Sequence, residues 1–308
     1  MCPVNRGIYP TMITTFTADN RIDYQGLGSL LEYYEKAGCD GIFALCLSSE
    51  IFQLSDREMR EMMRFLSANR PKGLSLIASA HTSADVETGI AQLAAMAENG
   101  ADQPVIILNR LALPGEEEDA VRRNAEKIFN ALSGVTFGIY ECPYPYKRLA
   151  SDELLAWFAK TGRIGFLKDT CCDAARIRRR LQVTAGTGLQ LFNANTTTLL
   201  ESLRDGAAGF SGVMANFHAE LYAELYHLYQ ADDPRADELQ AALTIASLIE
   251  TQLYPTCAKA HLKHLNIDAA LVTRSCNAAD WNSQYEERVK AMACMENGLR
   301  RQFLKWDC

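Results

Sequence analysis

The feature that constrains this chain most is an alternation. A short apolar segment is followed by a longer amphipathic one, and the pattern repeats along the chain. The apolar segments are GIYPTMITTF (7–16), GIFAL (41–45), LSLIASA (74–80), PVIIL (104–108), VTFGIY (135–140), IGFLK (164–168), LQLFN (189–193) and AGFSG (208–212). Runs this short read as buried strands, and the stretches between them carry apolar residues at the three- and four-residue spacing of a helix. YQGLGSLLEYYEKAG and SADVETGIAQLAAMAENG both close on glycine, a favoured helix stop. LSDREMREMMRFL opens with Ser55 and places Glu58 three residues on, the pattern of a capping box. Strands that alternate with helices predict an α/β fold with a parallel sheet. Eight such units within about the first 230 residues predict a (β/α)8 TIM barrel. From residue 231 to 308 the pattern turns wholly helical, as in DELQAALTIASLIETQLY and YEERVKAMACMENGLRRQFL. The expected organisation is therefore a barrel over 1–230 and a C-terminal helical extension over 231–308 packed on it. The alternative, a doubly wound open sheet, calls for a G-x-G-x-x-G after the first strand, and none is there.

Composition excludes several function classes. A net charge of -7 and the lack of a long basic block argue against a nucleic-acid partner. No apolar run approaches the roughly 18–20 residues of a membrane span, and the N-terminus has no hydrophobic signal core. A cytoplasmic location is expected. The ten cysteines (Cys2, Cys39, Cys46, Cys142, Cys171, Cys172, Cys257, Cys276, Cys294 and Cys308) are dispersed, without a C-x-x-C, so a disulfide framework is not expected. Adjacent Cys171 and Cys172 would project to opposite sides of an extended chain, which argues against a thiol enzyme built on that pair. His261 and His264 are at helical spacing, but none of the five histidines forms an H-x-x-x-H or H-E-x-x-H pattern, so no metal is expected.

A parallel barrel carries its chemistry at the C-terminal ends of its strands. There the second strand delivers CLSSE, the third His81, the fifth Tyr140, the sixth Lys168, and the seventh Asn193 and Asn195. Taken singly, a strand-end lysine is a solvated charge and a tyrosine a core aromatic with a wet hydroxyl. Together on neighbouring strands about 4.8 Å apart, an amine and a phenol that both point inward can meet. Apolar surroundings disfavour the ammonium form of Lys168, leaving neutral amine able to attack a ketone. The resulting protonated imine is an electron sink, and Tyr140 offers a hydroxyl to carry protons. Asp169 follows Lys168 directly and, if the strand persists, faces the other way.

These residues resemble the family of dihydrodipicolinate synthase and N-acetylneuraminate lyase. YPTMITTFTADNRID is similar to that family's opening strand and turn, FLKDTCCD to the segment bearing its imine-forming lysine, IYECP to its Tyr-x-x-Pro, and GAAGFSGVMAN to its last barrel strand. The likeness runs from about Gly7 to about Asn216, with a looser helical match beyond. It implies a (β/α)8 barrel with extra helices that forms a Schiff base with pyruvate or a related 2-oxo acid. Lys168 falls on the imine-forming lysine and Tyr140 on the proton-shuttling tyrosine. The family's carboxylate-binding loop, Gly-Thr/Ser-Thr-Gly-Glu, falls on Cys46-Leu47-Ser48-Ser49-Glu50. Ser48 keeps one hydroxyl, Leu47 replaces the other, and Ser49 replaces a glycine. Two further departures bear on the substrate. The arginine that grips the aldehyde's carboxylate in the synthases is Pro145 here, with Arg148 the nearest. The tyrosine that reaches a neighbouring subunit's site is missing from LNRLALPG.

The expectation is a carbon–carbon lyase, a class I aldolase acting on a 2-oxo acid, sugar-derived acids included. Lys168 and Tyr140 are its catalytic residues. Ser48, Ser49, His81 and Asn193 are its substrate-binding candidates, with Asn195 and Arg110 for distal contacts. No cofactor is needed, since the lysine supplies the electron sink, and the resemblance implies a homotetramer, a dimer of dimers. Two rivals stand beside this reading: a 4-hydroxy-tetrahydrodipicolinate synthase that uses Arg148 or Arg110, and a non-catalytic barrel that binds a 2-oxo acid.

Overall fold

In the computed structural model, which describes residues 4–304, the apolar segments lie side by side as eight parallel strands. They are β1 Gly7–Ile8, β2 Gly41–Ala44, β3 Ser75–Ala78, β4 Gln103–Ile107, β5 Phe137–Tyr140, β6 Ile164–Asp169, β7 Gln190–Asn193 and β8 Gly209–Phe210. Hydrogen bonding runs in the order β1-β8-β7-β6-β5-β4-β3-β2. A parallel bridge between Thr11 and Phe43 brings the first strand's continuation against β2 and closes the ring.

The first strand is much shorter than the apolar run 7–16 predicts. Pro10 has no N–H to give to β8. The chain nevertheless stays extended and serves both neighbours: Tyr9 N donates to Phe210 O (2.8 Å), Phe43 N to Pro10 O (2.9 Å) and Met12 N to Phe43 O (3.0 Å).

Eight helices follow the strands: α1 Tyr24–Lys36, α2 Asp56–Asn69, α3 Val86–Glu98, α4 Glu118–Ala131, α5 Asp152–Lys160, α6 Ala174–Thr184, α7 Leu199–Arg204 and α8 Ala215–Gln230. The Ser55 capping box forms, with Glu58 N donating to Ser55 Oγ and Ser55 N to Glu58 Oε2. Gly38 and Gly100 take the left-handed conformation just past α1 and α3. The side-chain period of two sorts each strand between two cores. Phe43, Phe166 and Phe192 face the barrel interior with Tyr9, where the Phe166 and Phe192 rings stack 4.6 Å apart and Tyr9 meets Phe192 edge-on at 4.9 Å. Ile139, Leu167 and Leu191 face outward onto Leu154, Phe158 and Ile177 of the helices.

Beyond α8 come α9 Arg235–Ala246, α10 Thr256–His261 and α11 Ser283–Phe303. Leu239, Leu243, Ala258 and Val289 of these helices share one continuous hydrophobic cluster with Phe210, Phe217 and Tyr222 of the barrel. A buried carboxylate pins the outer end of this layer. Glu296 of α11 bonds His218 Nδ1 (2.8 Å) and His261 Nε2 (2.9 Å), all three fully enclosed. Burial pushes the Glu296 carboxyl up, but the two histidine hydrogen bonds outweigh it and hold the group at about 2. Cys39, Cys46, Cys142, Cys171, Cys172, Cys257, Cys276 and Cys294 carry free thiols, while Cys2 and Cys308 lie outside the described residues. Among the described residues no helix is long and apolar enough to cross a membrane.

Candidate active site

Lys168 and Tyr140 are register partners at the C-terminal ends of β6 and β5. Lys168 lies two residues beyond inward-facing Phe166, so the same period turns its side chain into the barrel. Its Nζ sits 4.6 Å from the centre of the Tyr140 ring and 5.6 Å from that of Phe43. Only 3% of the lysine is exposed, and among the described residues no carboxylate forms an ion pair with it. Burial is the dominant influence and lowers the ammonium pKa, with the distant Glu250 carboxylate among the opposing charges. The Tyr140 phenol is pushed well above its ordinary value by burial, and its hydroxyl meets the Cys142 thiol.

The residues that follow this pair face the helices and share one cation. Glu141 comes after Tyr140 and Asp169 after Lys168. Arg180 of α6 donates from Nη1 and Nη2 to Glu141 (2.9 and 2.8 Å), from Nη1 to Asp169, and from Nη2 to Ala150 O (2.9 Å), with all three side chains fully buried. The alternation that puts the amine and phenol inside thus puts two carboxylates outside, where a single guanidinium ties the two strand ends together.

Over the pair opens a cleft of about 560 Å³. Leu47 and Ser48 come to its floor from a turn of 3₁₀ helix at Leu47–Ser49, and Asn195 from the loop after β7. The Ser48 hydroxyl donates to Thr11 Oγ1 at 3.1 Å. Phe52 and Tyr144 form an edge-on aromatic pair in the wall, 4.8 Å between ring centres. Cys172 also lines the cleft, but its backbone is left-handed (φ 58), so the cysteine pair is not on the extended chain that sequence suggests. Burial raises both thiols, Cys171 to about 12, which disfavours a thiolate nucleophile.

Other residues marked from sequence as substrate contacts are placed elsewhere. Ser49 donates its hydroxyl to Met12 O (2.6 Å) and accepts from Cys46 N (3.2 Å), which fixes the loop beneath the cleft. His81 Nδ1 accepts the Ile107 N–H (3.1 Å), and a Cβ on Gly89 of α3 would lie 2.7 Å from its Nε2. Burial, with a smaller push from Arg110, lowers His81 to about 3, so it is a neutral wall residue facing a helix. Asn193 follows inward-facing Phe192 and therefore points outward, donating to Thr198 Oγ1 (2.9 Å) and Ser202 Oγ (3.0 Å). Arg110 is engaged with Asn109 Oδ1 and Thr82 O, and Arg148 with Leu113 O and Glu116 O. Among the described residues no arginine lines the cleft.

Six residues of the rim come from the C-terminal extension: Glu250, Thr251, Tyr254, Pro255, Ser275 and Cys276. Their segment is held by Glu50, which takes a left-handed conformation (φ 61) at the end of the 3₁₀ turn. Its carboxylate pairs with buried Lys259 of α10 and accepts Arg274 N (2.6 Å), Ser275 N (2.7 Å) and Ser275 Oγ (2.8 Å). Burial pulls Lys259 down to about 8 against the opposing Glu50 charge. Helical periodicity gave no sign that these residues return to the barrel mouth; Pro255, which marks a break after Tyr254, was the nearest signal.

The dihydrodipicolinate synthetase family matches residues 4–293. 4-Hydroxy-tetrahydrodipicolinate synthase 1 of Streptomyces coelicolor is 25% identical over 273 residues, covering 87% of each chain. N-acetylneuraminate lyase of Rhizobium meliloti is 24% identical over 255 residues, covering 81% of this chain and 82% of the lyase. The fold superposes on the pyruvate complex of YagE, a prophage protein of E. coli K12, with a TM-score of 0.84 at 20% identity over 96% of this chain and 98% of that one. A match over nearly the whole length, barrel and extension together, settles the relationship: the chain belongs to the dihydrodipicolinate synthetase family.

Proposed function

We propose that the protein is a class I aldolase or lyase in which Lys168 forms an imine with pyruvate or a related 2-oxo acid. The observation that carries this reading is the enclosed Lys168 amine, unpaired with any carboxylate among the described residues, against a phenol in a cleft at the C-terminal end of the barrel strands. The neutral amine attacks the carbonyl carbon, and the carbonyl pair moves to oxygen. Tyr140 takes a proton from nitrogen and delivers one to that oxygen. Water then leaves with a further proton from the medium, and the protonated imine remains. In the cleavage direction the C4 hydroxyl gives its proton to water, the C3–C4 bond breaks, its electron pair enters the imine as an enamine, and C4 departs as the aldehyde. The enamine then takes a proton at C3 and water releases the 2-oxo acid. The relatives include a 4-hydroxy-tetrahydrodipicolinate synthase and an N-acetylneuraminate lyase, and YagE has been seen in complex with pyruvate.

The distal half of the cleft fits an uncharged, hydroxylated aldehyde. Gln53, Thr170, Asn195, Thr251 and Ser275 offer hydrogen bonds, while Glu250 disfavours a second carboxylate. This composition favours a sugar-derived acid over aspartate semialdehyde, since Arg110 and Arg148 are committed to other partners. Intact-protein mass after incubation with pyruvate and borohydride tests the core of the proposal. A reduced pyruvyl adduct on wild type and none on Lys168→Ala is expected; an adduct on both would overturn the choice of lysine. Exposed Ile245 and Leu248 support self-association, proposed as a homotetramer, which light scattering tests.

A further inference from the structure

We propose that Tyr254, carried into the cleft by the C-terminal extension, donates a hydrogen bond to the carboxylate of the 2-oxo acid held at Lys168; this rests on the imine reading above. A 2-oxo acid brings a full negative charge beside its ketone. The cleft wall offers it no arginine, and Lys168 must be neutral to attack. The carboxylate therefore needs neutral donors close to the amine, hydroxyls that can turn toward it.

The hydrogen-bond pattern behind the floor identifies one. Asn216 is fully buried, and its orientation is fixed by partners that have no choice of role. Its Nδ2 faces the carbonyl oxygens of Thr11 and Val213 (2.9 Å each), which only accept, and its Oδ1 receives the Tyr34 hydroxyl at 2.7 Å. The same Nδ2 lies 3.2 Å from Tyr254 Oη, and an amide nitrogen cannot accept, so the phenol hydrogen does not point there. It is left to point elsewhere. The hydroxyls nearest to it are those of Ser48 and Thr11, already bonded to each other at 3.1 Å, and the cleft opens beside them. Tyr254 and Ser48 thus form a two-hydroxyl floor on the side of the cleft where the 3₁₀ turn begins. Leu47 contributes no donor from its side chain, which makes the phenol the available second partner.

The test separates carboxylate recognition from wall packing by using two ketones. Borohydride trapping at Lys168 is measured with pyruvate and with propanone, which has the ketone but no carboxylate, on wild type, Tyr254→Phe and Ser48→Ala. Loss of one hydrogen bond to a charged group is expected to raise the half-saturating pyruvate concentration about 10- to 100-fold in Tyr254→Phe. Trapping of propanone is expected to stay unchanged, which also establishes that the variant is folded. Ser48→Ala is expected to raise the half-saturating pyruvate concentration by a smaller factor, because the Ser48 hydroxyl is shared with Thr11. Equal loss with both ketones would assign Tyr254 a packing role and overturn the proposal, as would no loss with either. If wild type traps propanone but not pyruvate, the amine is reactive and the carboxylate subsite is wrong. If wild type traps neither, the imine reading itself fails and takes this inference with it.

Discussion

Replacing Arg180 with methionine removes the one cation between two buried carboxylates. In wild type, burial penalises the guanidinium, yet Glu141 and Asp169 outweigh that penalty and raise its pKa. Burial pushes the Glu141 carboxyl up, with Arg180 opposing it. Arg180→Met has nearly the right volume, but it strands two fully enclosed carboxylates that face each other with no counter-charge. Breaking a buried pair from one side costs about 3–5 kcal/mol. For a chain of this length, at roughly 2 °C per kcal/mol, the melting temperature should fall by about 6–10 °C. The loss has a pH signature. Without Arg180 the Glu141 carboxyl rises further above its unfolded value, so the penalty is fully present at high pH and fades as the group protonates below that raised value. Calorimetric melts of the two proteins should therefore converge as pH is lowered from about 8 to about 5. Adding Glu141→Gln and Asp169→Asn to the variant should recover most of the loss, because no unpaired charge remains. Pyruvate trapping should slow in the single variant, since Tyr140 and Lys168 are the preceding residues on the two loosened strand ends. A melt within about 1 °C of wild type, with no dependence on pH, would refute the claim that this cluster sets the strand ends.

Borohydride trapping should rise with pH through a Lys168 pKa that burial holds below the ordinary lysine value, and Glu250→Gln should move that rise to lower pH by removing a charge that favours the ammonium form. Glu50→Gln leaves the Lys259 ammonium buried and unpaired, at a cost of about 3–5 kcal/mol. Because the lysine starts near 8, the deficit should shrink as pH rises through and beyond that value, which denaturation at two pH values will measure. Glu296, at about 2 against an ordinary 4.5, contributes about 3 kcal/mol of stability above the higher value, lost as pH falls through the lower one. An acid titration of Glu296→Gln should consequently show a shallower decline than wild type.

The placement of Lys168 beside Tyr140 was legible because it depends on local rules. A strand of period two that ends in lysine, beside one that ends in tyrosine, places both side chains by counting, and Phe166 and Leu167 took the opposite faces that the count requires. Asn193 was open to the same count and was misplaced for want of it, since Phe192 faces the interior and its successor cannot. His81 is a different case. Ala80 before it adopts a left-handed conformation (φ 50), which breaks the alternation at a point where nothing in the residue types announces it. Ser49 replaces a glycine of the related loop without loss of a tight turn, because its hydroxyl bridges Cys46 N and Met12 O.

The substrate half was not legible, and the reason is one of distance along the chain. Asn216 meets Tyr254, Glu50 meets Lys259 and Ser275, and Glu250 faces Lys168 across the cleft, each pair joined only once the extension has docked. Amphipathic periodicity fixes which face of α9 or α11 is buried, not where on the barrel it lands. The Glu50 carboxylate bears most directly on this. It is the last residue of the turn that presents Ser48, and it accepts four hydrogen bonds from the extension. One buried side chain thus couples the docking of the extension to the position of the turn that presents Ser48 to the cleft. A substitution in the 272–276 segment that weakens those bonds should therefore raise the concentration of 2-oxo acid needed at Lys168, although none of those residues lies on a barrel strand.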